Sequence, residues 1–442
     1  MKPATLEQWL VYLEQLHPQA IALGLDRVEQ VRSALGIDPA FPLITVGGTN
    51  GKGSCCAMLE AMLAHAGYRV GCYTSPHLLR YNERVRVGGH AVDDAALCAA
   101  FEKIEIARGG VSLTYFEFGT LAAMLIFADS GIDAAILEVG LGGRLDAVNI
   151  FDADSAIVAS VDLDHQSYLG DTREAIGFEK AGIYRGGRPA ICADADPPQS
   201  LLAHAKTIGA DLMLIDRDFG LVAERGQWRY WGPRNKRNGL PWPALRGGCQ
   251  LANAAACITA LDTLRDRLPL TAADLRGGLL TAEIAGRFQV LPGRPLQVLD
   301  VAHNPHAARV LAANLAELPK TAGEIIAVCG MLKDKDIAGV MAALKNSFTR
   351  WHVANSEGPR GATANELAAA LGGAAALTLA AGGANATTGG GATLGASTTA
   401  GGVTAATGAG GSPLLSALPG TTGTILEVNV PAFCEGIWML MS

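Results

Sequence analysis

A glycine-rich stretch, Gly47-Gly48-Thr49-Asn50-Gly51-Lys52-Gly53-Ser54, constrains this chain more than any other feature. It follows an apolar run, Phe41 to Val46, that reads as a buried strand. It precedes Cys55 to Tyr68, whose apolar residues recur at helical spacing. Strand, glycine loop and helix together cradle phosphate: the glycines let backbone N–H groups turn inward, and the helix N-terminus adds its positive end. In such a loop Lys52 puts a cation on the outer phosphates, and Thr49 or Ser54 can reach phosphate or a metal. The loop departs from the Walker A pattern, which requires Gly, four residues, then Gly-Lys-Ser/Thr. Position 46 is Val, and Gly53 separates Lys52 from Ser54. Taken alone, these residues also suit a plain tight turn; the flanking strand and helix favour phosphate.

A chain of 442 residues predicts two or three domains, each large enough for its own core. The formal charge of −7, with no dense basic block, argues against a nucleic-acid partner. Met1 to Leu10 shows no basic-then-apolar leader pattern, and no uncharged apolar run is long enough to span a bilayer. The nine cysteines include no CxxC pair, which fits a reducing, cytoplasmic setting. Adjacent Cys55 and Cys56 read as packing residues.

The chain then alternates strand and helix. Leu6–Leu16 and Asp26–Leu35 read as helices, the first amphipathic, the second with Asp26 as a plausible cap. Strands follow at Arg69–Tyr73, Ala134–Val139, Ser155–Val161 and Arg188–Cys192, with helices between them. This predicts a mainly parallel, doubly wound sheet, whose ligands collect at the carboxyl ends of the strands. Three such ends carry chemistry: Ser75 in Thr74-Ser75-Pro76-His77, Glu138, and Asp162, Asp164 and His165. A carboxylate at the end of an apolar strand is costly unless paired or metal-bound, so Glu138 is a metal-ligand candidate; the Ser75 hydroxyl is a hard oxygen donor suited to Mg²⁺. Leu113–Phe118 (LTYFEF) leads into an apolar helix at Gly119–Ala128, and its aromatics suit either core or ring stacking. By charge alone, Lys180 reads as a solvated surface residue.

From about Asp211 to Leu245, Trp228, Tyr230 and Trp231 among glycines and prolines predict a β-rich excursion, before Gln250–Leu261 returns to helix. A second, smaller Rossmann-like α/β domain begins near Gly286-Arg287-Phe288-Gln289, giving domains at 1–286 and 287–442. It has strands at Leu296–Val301, Glu324–Cys329 and Trp351–Ala354 and a helix at Ala307–Leu318. From Leu367 to Leu426 no residue is charged and the composition collapses to Ala, Gly, Thr and Leu. Ile425–Val430 reads as a last strand.

In order along the chain stand GTNGKGS at Gly48–Ser54, TSPH at Thr74–His77, LTYFEF at Leu113–Phe118 and EVGLGGRLDAVN at Glu138–Asn149. DHQSYLG at Asp164–Gly170, EKAGI at Glu179–Ile183, GRFQ at Gly286–Gln289 and DVAHNP at Asp300–Pro305 follow. As a set they closely resemble the bacterial dihydrofolate synthase/folylpolyglutamate synthase family of the Mur ligase superfamily, over roughly residues 5–365. The resemblance implies a cytoplasmic, monomeric ATP-dependent amide ligase that phosphorylates a carboxylate and joins L-glutamate to it. The acceptors it implies are 7,8-dihydropteroate and the γ-carboxylate of folates. It assigns Thr49, Asn50, Gly51, Lys52, Gly53, Ser54, Asn253, Arg287, Asp300 and His303 to ATP, and Ser75, Glu138 and His165 to two Mg²⁺ ions. Thr114, Tyr115, Phe116, Glu117, Leu145, Asp146 and Ala147 fall along the pterin and benzoate site, where Tyr115 and Phe116 gain a stacking role. Lys52, His165 and Lys180 are the catalytic set, with Lys180 matching a lysine that is carbamylated in the family. Closure of the two domains is implied to bring Arg287 and Asp300 over the loop. Narrower alternatives keep the chemistry and change the substrate: a folylpolyglutamate synthase alone, or a peptidoglycan-type amino-acid ligase; LTYFEF favours dihydropteroate. A non-catalytic nucleotide- or pterin-binding protein is the alternative of another class. The uncharged tail departs from the family's closing strand and helix, and bears on stability and glutamate binding more than on ATP binding.

Overall fold

β1 (Leu43–Gly47) is buried along its whole length, and the first unit is built outward from it. The computed structural model describes residues 3–19, 21–293, 295–318, 324–356, 360–372, 376–379 and 436–441. It divides into two compact units, Met1–Gln289 and Val290–Ser442, so Arg287 falls in the first rather than opening the second.

In the first unit α1 (Leu6–Leu16) and α2 (Asp26–Leu35) precede β1, and α3 (Lys52–His65) follows it. Then come β2 (Val70–Tyr73), β3 (Val85–Val87), β4 (His90–Ala91), α4 (Asp94–Arg108), α5 (Tyr115–Asp129), β5 (Ala134–Glu138) and β6 (Ser155–Val158). α6 (Gln166–Leu169), α7 (Arg173–Ala181), β7 (Pro189–Cys192), α8 (Gln199–Ile208) and β8 (Asp211–Leu214) complete the sheet, whose order is β4-β3-β2-β5-β1-β6-β7-β8. Every pairing from β2 to β8 is parallel; only the β3 and β4 edge is antiparallel. Because β1 lies between β5 and β6, the chain leaves it in opposite directions. That switch point opens a crevice at the strands' carboxyl ends.

Successive strand residues feed opposite faces. Leu43, Ala135 and Leu137 pack with α1, α2, α4 and α5, while Ile44, Val46 and Ile136 pack with α3 and α9 (Cys249–Thr263). Met58, Leu59, Met62 and Leu63 of α3 are fully buried, each contributing about 1.5–3 kcal/mol of hydrophobic stabilisation. Cys55 and Cys56 are core residues, as expected. The β-rich excursion is a three-stranded antiparallel sheet of β9 (Gly220–Glu224), β10 (Gln227–Trp231) and β11 (Lys236–Pro241), with Trp228 and Tyr230 buried against the α9 side; α10 (Ala272–Thr281) packs on α3.

Several boundaries differ from the sequence expectation. Asp26 is the first helical residue of α2, not its cap; Leu25 occupies the cap and offers no side-chain bond. α5 starts at Tyr115 instead of Gly119, because Thr114 and Glu117 form a capping box there. β6 stops at Val158, and the Val161 N–H donates to Asp194 Oδ2 at 2.6 Å.

The second unit contains β12 (Gln289–Leu291), β13 (Leu296–Asp300), α11 (Pro305–Ala316), β14 (Ile325–Gly330), α12 (Ile337–Leu344), β15 (Arg350–Ala354), α13 (Ala364–Ala370), β16 (Ala376–Leu379) and β17 (Gly436–Met441). Its sheet runs β12-β13-β17-β14-β15-β16. The expected strand at Ile425–Val430, and most of the uncharged tail, lie outside the described residues. Instead β17 closes the sheet, antiparallel to both β13 and β14. Among the described residues no helix is long and apolar enough to cross a membrane.

Candidate active site

The ends of β2, β5, β1 and β6 lie side by side, so Ser75, Glu138, the glycine loop and Asp164–His165 share one edge of the sheet. The loop itself is fastened to the end of β6. The Thr49 hydroxyl accepts from Asp162 N–H at 2.9 Å and donates to the Asp162 carbonyl at 3.0 Å; Asn50 N–H donates to Ser160 Oγ at 3.0 Å. Thr49 therefore shapes the loop through its side chain. Gly51 has φ +86°, and a Cβ there would lie 2.9 Å from Asn253 Oδ1; left-handed backbone and close approach both require glycine. Asn253 on α9 thus borders the loop. It also donates to Gln250 Oε1 at 3.1 Å, and Gln250 donates to the Ser54 hydroxyl at 3.3 Å. Gln250 went unnoticed in the sequence because one amide in an alanine-rich helix carries no pattern.

Lys52 folds over the loop, its Nζ donating to the carbonyls of Gly48 at 2.9 Å and Thr49 at 3.1 Å. Burial lowers its pKa, and the charges of Glu138 and Asp164 work against that fall. Glu138 is 3% exposed. Burial raises its carboxyl pKa, opposed by Lys52, the Ser75 N–H at 3.0 Å, Arg287 and Arg86. Arg287 therefore acts on the same charge cluster as the loop lysine. His165 sits at φ +49°, its N–H donating to Asp164 Oδ1 at 2.8 Å and its Nε2 4.0 Å from that oxygen.

Lys180, read as a surface charge from sequence, is 4% exposed. Burial and the nearby Lys52 lower its pKa to about 7, against Asp164 and Asp146. Its helix is held to the glycine loop after β5: Arg144 N–H donates to the Glu179 carbonyl at 2.7 Å and its guanidinium pairs with Glu179 at 2.8 Å. Asp146 accepts from Leu141 N–H at 2.8 Å and Val148 N–H at 3.1 Å; burial moves its pKa up to about 7.

The LTYFEF segment divides between two roles. Thr114 and Glu117 cap α5 reciprocally, Glu117 N–H to Thr114 Oγ1 at 3.2 Å and Thr114 N–H to Glu117 Oε2 at 2.7 Å. Glu117 also pairs with Arg27 at 3.0 Å. Their side chains fasten the start of the helix. Asp146 likewise holds its own loop, Ala147 is buried, and Leu145 offers its carbonyl to Gly24 N–H at 3.4 Å. Tyr115 and Phe116 remain half-buried. Phe116 lies 5.8 Å from the Tyr73 ring, and a Cβ on Gly140 would come within 2.6 Å of it. Tyr115 meets Tyr81 edge-on at 5.6 Å, and the Arg84 guanidinium covers both rings. Asp300 and His303 belong to the second unit, where Asp300 Oδ1 accepts from Ala302 N–H at 2.8 Å and His303 Nδ1 lies 2.9 Å from the Val301 carbonyl.

The donor set suits a hard cation. Glu138 is a buried carboxylate with the Ser75 backbone bonded to it, and among the described residues no three His, Cys, Asp or Glu side chains converge to hold an ion alone. Carboxylate and hydroxyl oxygens such as those of Glu138 and Ser75 are hard donors of the kind Mg²⁺ takes.

Residues 286–388 match the model of the Mur ligase glutamate ligase domain. The chain is 46% identical, over 83% of its length and 86% of the relative's, to dihydrofolate synthase/folylpolyglutamate synthase of Escherichia coli K12. It is similar to the solved structure of E. coli FolC in complex with DHPP and ADP, at TM-score 0.81 and 44% identity, covering 86% of this chain and 90% of that one. It is likewise similar to the bifunctional folylpolyglutamate synthase/dihydrofolate synthase of Yersinia pestis CO92 complexed with AMPPNP and Mn ion, at TM-score 0.79 and 47% identity, covering 86% and 90%.

Proposed function

The chain belongs to the dihydrofolate synthase/folylpolyglutamate synthase family and is an ATP-dependent glutamate ligase of folate metabolism; from that premise we propose how its own residues divide the work. The acceptors are 7,8-dihydropteroate and the γ-carboxylate of folates. The acceptor carboxylate attacks the γ-phosphorus of ATP, giving an acyl phosphate and ADP. The amine of L-glutamate then attacks the acyl carbon, losing a proton as the amide forms and phosphate departs.

The observation that carries this reading is the charge cluster at the strand ends: Lys52 interacts with Glu138, Asp164 and Lys180 beside a glycine loop at a helix N-terminus. The loop amides and Lys52 bind the phosphates, with Asn253 setting the loop's shape. Ser75, Glu138 and His165 hold Mg²⁺, two ions by the resemblance, which supply charge neutralisation as two anions meet. Tyr115 and Phe116 orient the aromatic acceptor. Asp300 and His303 are assigned to the nucleotide by the resemblance alone. Lys180 is the carbamylation site: its neutral amine adds to CO₂ with loss of a proton, and the resulting anion helps organise the cations. The protein acts as a monomer in the cytoplasm.

Glutamate-dependent phosphate release from MgATP, with 7,8-dihydropteroate and separately with a reduced folate monoglutamate, tests the proposal. Turnover with both acceptors is expected. ATP binding without turnover on either would overturn it.

A further inference from the structure

Arg84 is a half-buried cation that has no carboxylate partner among the described residues. Its Nε donates to His77 Nδ1 at 2.8 Å, and its guanidinium carbon stands 5.4 Å from the Tyr81 ring centre and 5.5 Å from that of Tyr115. Arg86, two residues on, is the contrast: it grips Glu60 through Nε at 3.0 Å and Nη2 at 2.7 Å. The wall around Arg84 is neutral. Burial holds the Tyr81 hydroxyl up at about 12, and the His77 ring meets Arg84 with Nδ1 as the acceptor. The neighbouring Glu83 carboxylate accepts from the N–H groups of Leu78, Leu79 and Arg80. Ring faces offset part of the cost of desolvating a guanidinium, but an anion in bidentate contact offsets far more.

The position narrows the choice of anion. The Arg84 carbonyl accepts from Thr74 N–H at 2.9 Å, one residue before Ser75, so its backbone is fastened next to the proposed reaction centre. Its side chain turns to Tyr115, the proposed stacking residue. Lys52 folds onto the loop carbonyls of Gly48 and Thr49, and Glu138 accepts from the Ser75 N–H. Arg84 faces instead His77, Tyr81 and Tyr115. It is therefore a second cationic centre, apart from the one that must receive the carboxylate being phosphorylated.

We infer that Arg84 is a specificity-determining residue that binds the non-reacting α-carboxylate of a glutamylated acceptor. The inference rests on the proposed function and deepens it. Dihydropteroate has one carboxylate, the reacting one, whereas a folate carries a second on the same glutamyl residue. Arg84 thus serves the polyglutamylation step more than dihydrofolate synthesis.

Two measurements test this. Arg84→Gln is expected to lower kcat/KM for tetrahydrofolate at least tenfold more than for 7,8-dihydropteroate, chiefly through KM, with Arg84→Lys recovering part of the difference. Equal losses on both acceptors would overturn the inference. On the unaltered enzyme, replacing the α-carboxylate of tetrahydrofolate by a carboxamide, with the γ-carboxylate kept, is expected to raise KM tenfold or more; a change under twofold would overturn it. Absence of dihydropteroate turnover would count against the proposed function, while the carboxamide comparison would still decide the role of Arg84.

Discussion

Thr49 and Asp162 are joined by a reciprocal pair of hydrogen bonds, the threonine hydroxyl accepting from the Asp162 N–H at 2.9 Å and donating to its carbonyl at 3.0 Å. One side chain thereby ties the phosphate loop to the segment that carries Asp164 and His165. Thr49→Val keeps the shape and removes both bonds, leaving two backbone groups without their partner. Such losses cost about 1–3 kcal/mol. The expected outcome is weaker ATP binding and a lower melting temperature, with Thr49→Ser close to the original; calorimetric titration with ATP and thermal unfolding check it.

Lys180 makes a second prediction through its titration. Its pKa is about 7 in the folded chain and near the ordinary lysine range when unfolded, because burial penalises the ammonium. Between those values the unfolded state binds the extra proton, so stability rises with pH through that window; below about pH 7 the full penalty is present. Lys180→Met is expected to be more stable than the original protein at pH 6–7, and this advantage shrinks toward pH 10. It is also expected to lose ligase activity. Bicarbonate should raise the melting temperature of the original protein only, since CO₂ adds to the folded state alone. Melting curves over pH, with and without bicarbonate, read all three effects.

Glu138 and Ser75 make a third. Glu138 is buried at the end of a central strand, with Lys52 as the leading opposite charge and the Ser75 N–H on its carboxylate. Glu138→Gln retains the volume and one carbonyl oxygen but not the anion. Turnover is expected to fall about 10²–10³-fold, the scale of losing one preorganised electrostatic contact. The requirement for Mg²⁺ should shift to higher concentration, and metal-free nucleotide binding should change little. Rate measurements across a Mg²⁺ series, with nucleotide titration in chelator, distinguish these effects.

The succession of strands along the chain, the loop and the charged strand ends were legible in the sequence because each leaves a local mark. Glycines, a lysine and an apolar run sit together at 41–54, and Glu138 interrupts an otherwise apolar strand. What escaped notice depends on distant partners. Glu117 stands between aromatics in the sequence, and only the fold shows Thr114 and Arg27 paired with it. Lys180 is polar in sequence and buried in the fold, since α7 is pressed onto the loop after β5 by Arg144 and Glu179. Arg84 sits in an unremarked Asn-Glu-Arg run, and only Tyr81, Tyr115 and His77 give it meaning. The ending of the chain was missed for another reason: the apolar run Ile437–Met441 does mark a buried strand, but the uncharged tail before it hides which strands it joins.

That strand carries the final prediction. β17 lies between β13 and β14, pairing Leu296–Asp300 with Met441–Ile437 and Ile325–Gly330 with Met441–Gly436. Its register ends at Asp300, the residue proposed to contact ATP, and at Gly330, where the Met331–Asp336 loop begins. A strand held on both sides satisfies two ladders of backbone groups at once, so its removal leaves both neighbours with unpaired N–H and C=O rows. Each net hydrogen bond is worth about 0.5–1.5 kcal/mol, and several are lost together. Ending the chain after Glu435 is therefore expected to deprotect β13 and β14 in hydrogen exchange while β1, β5 and β6 keep their protection. Turnover should fall with it, because Asp300 loses the strand that fixes its backbone. Unchanged exchange in β13 and β14 would show that β17 does not hold this sheet together.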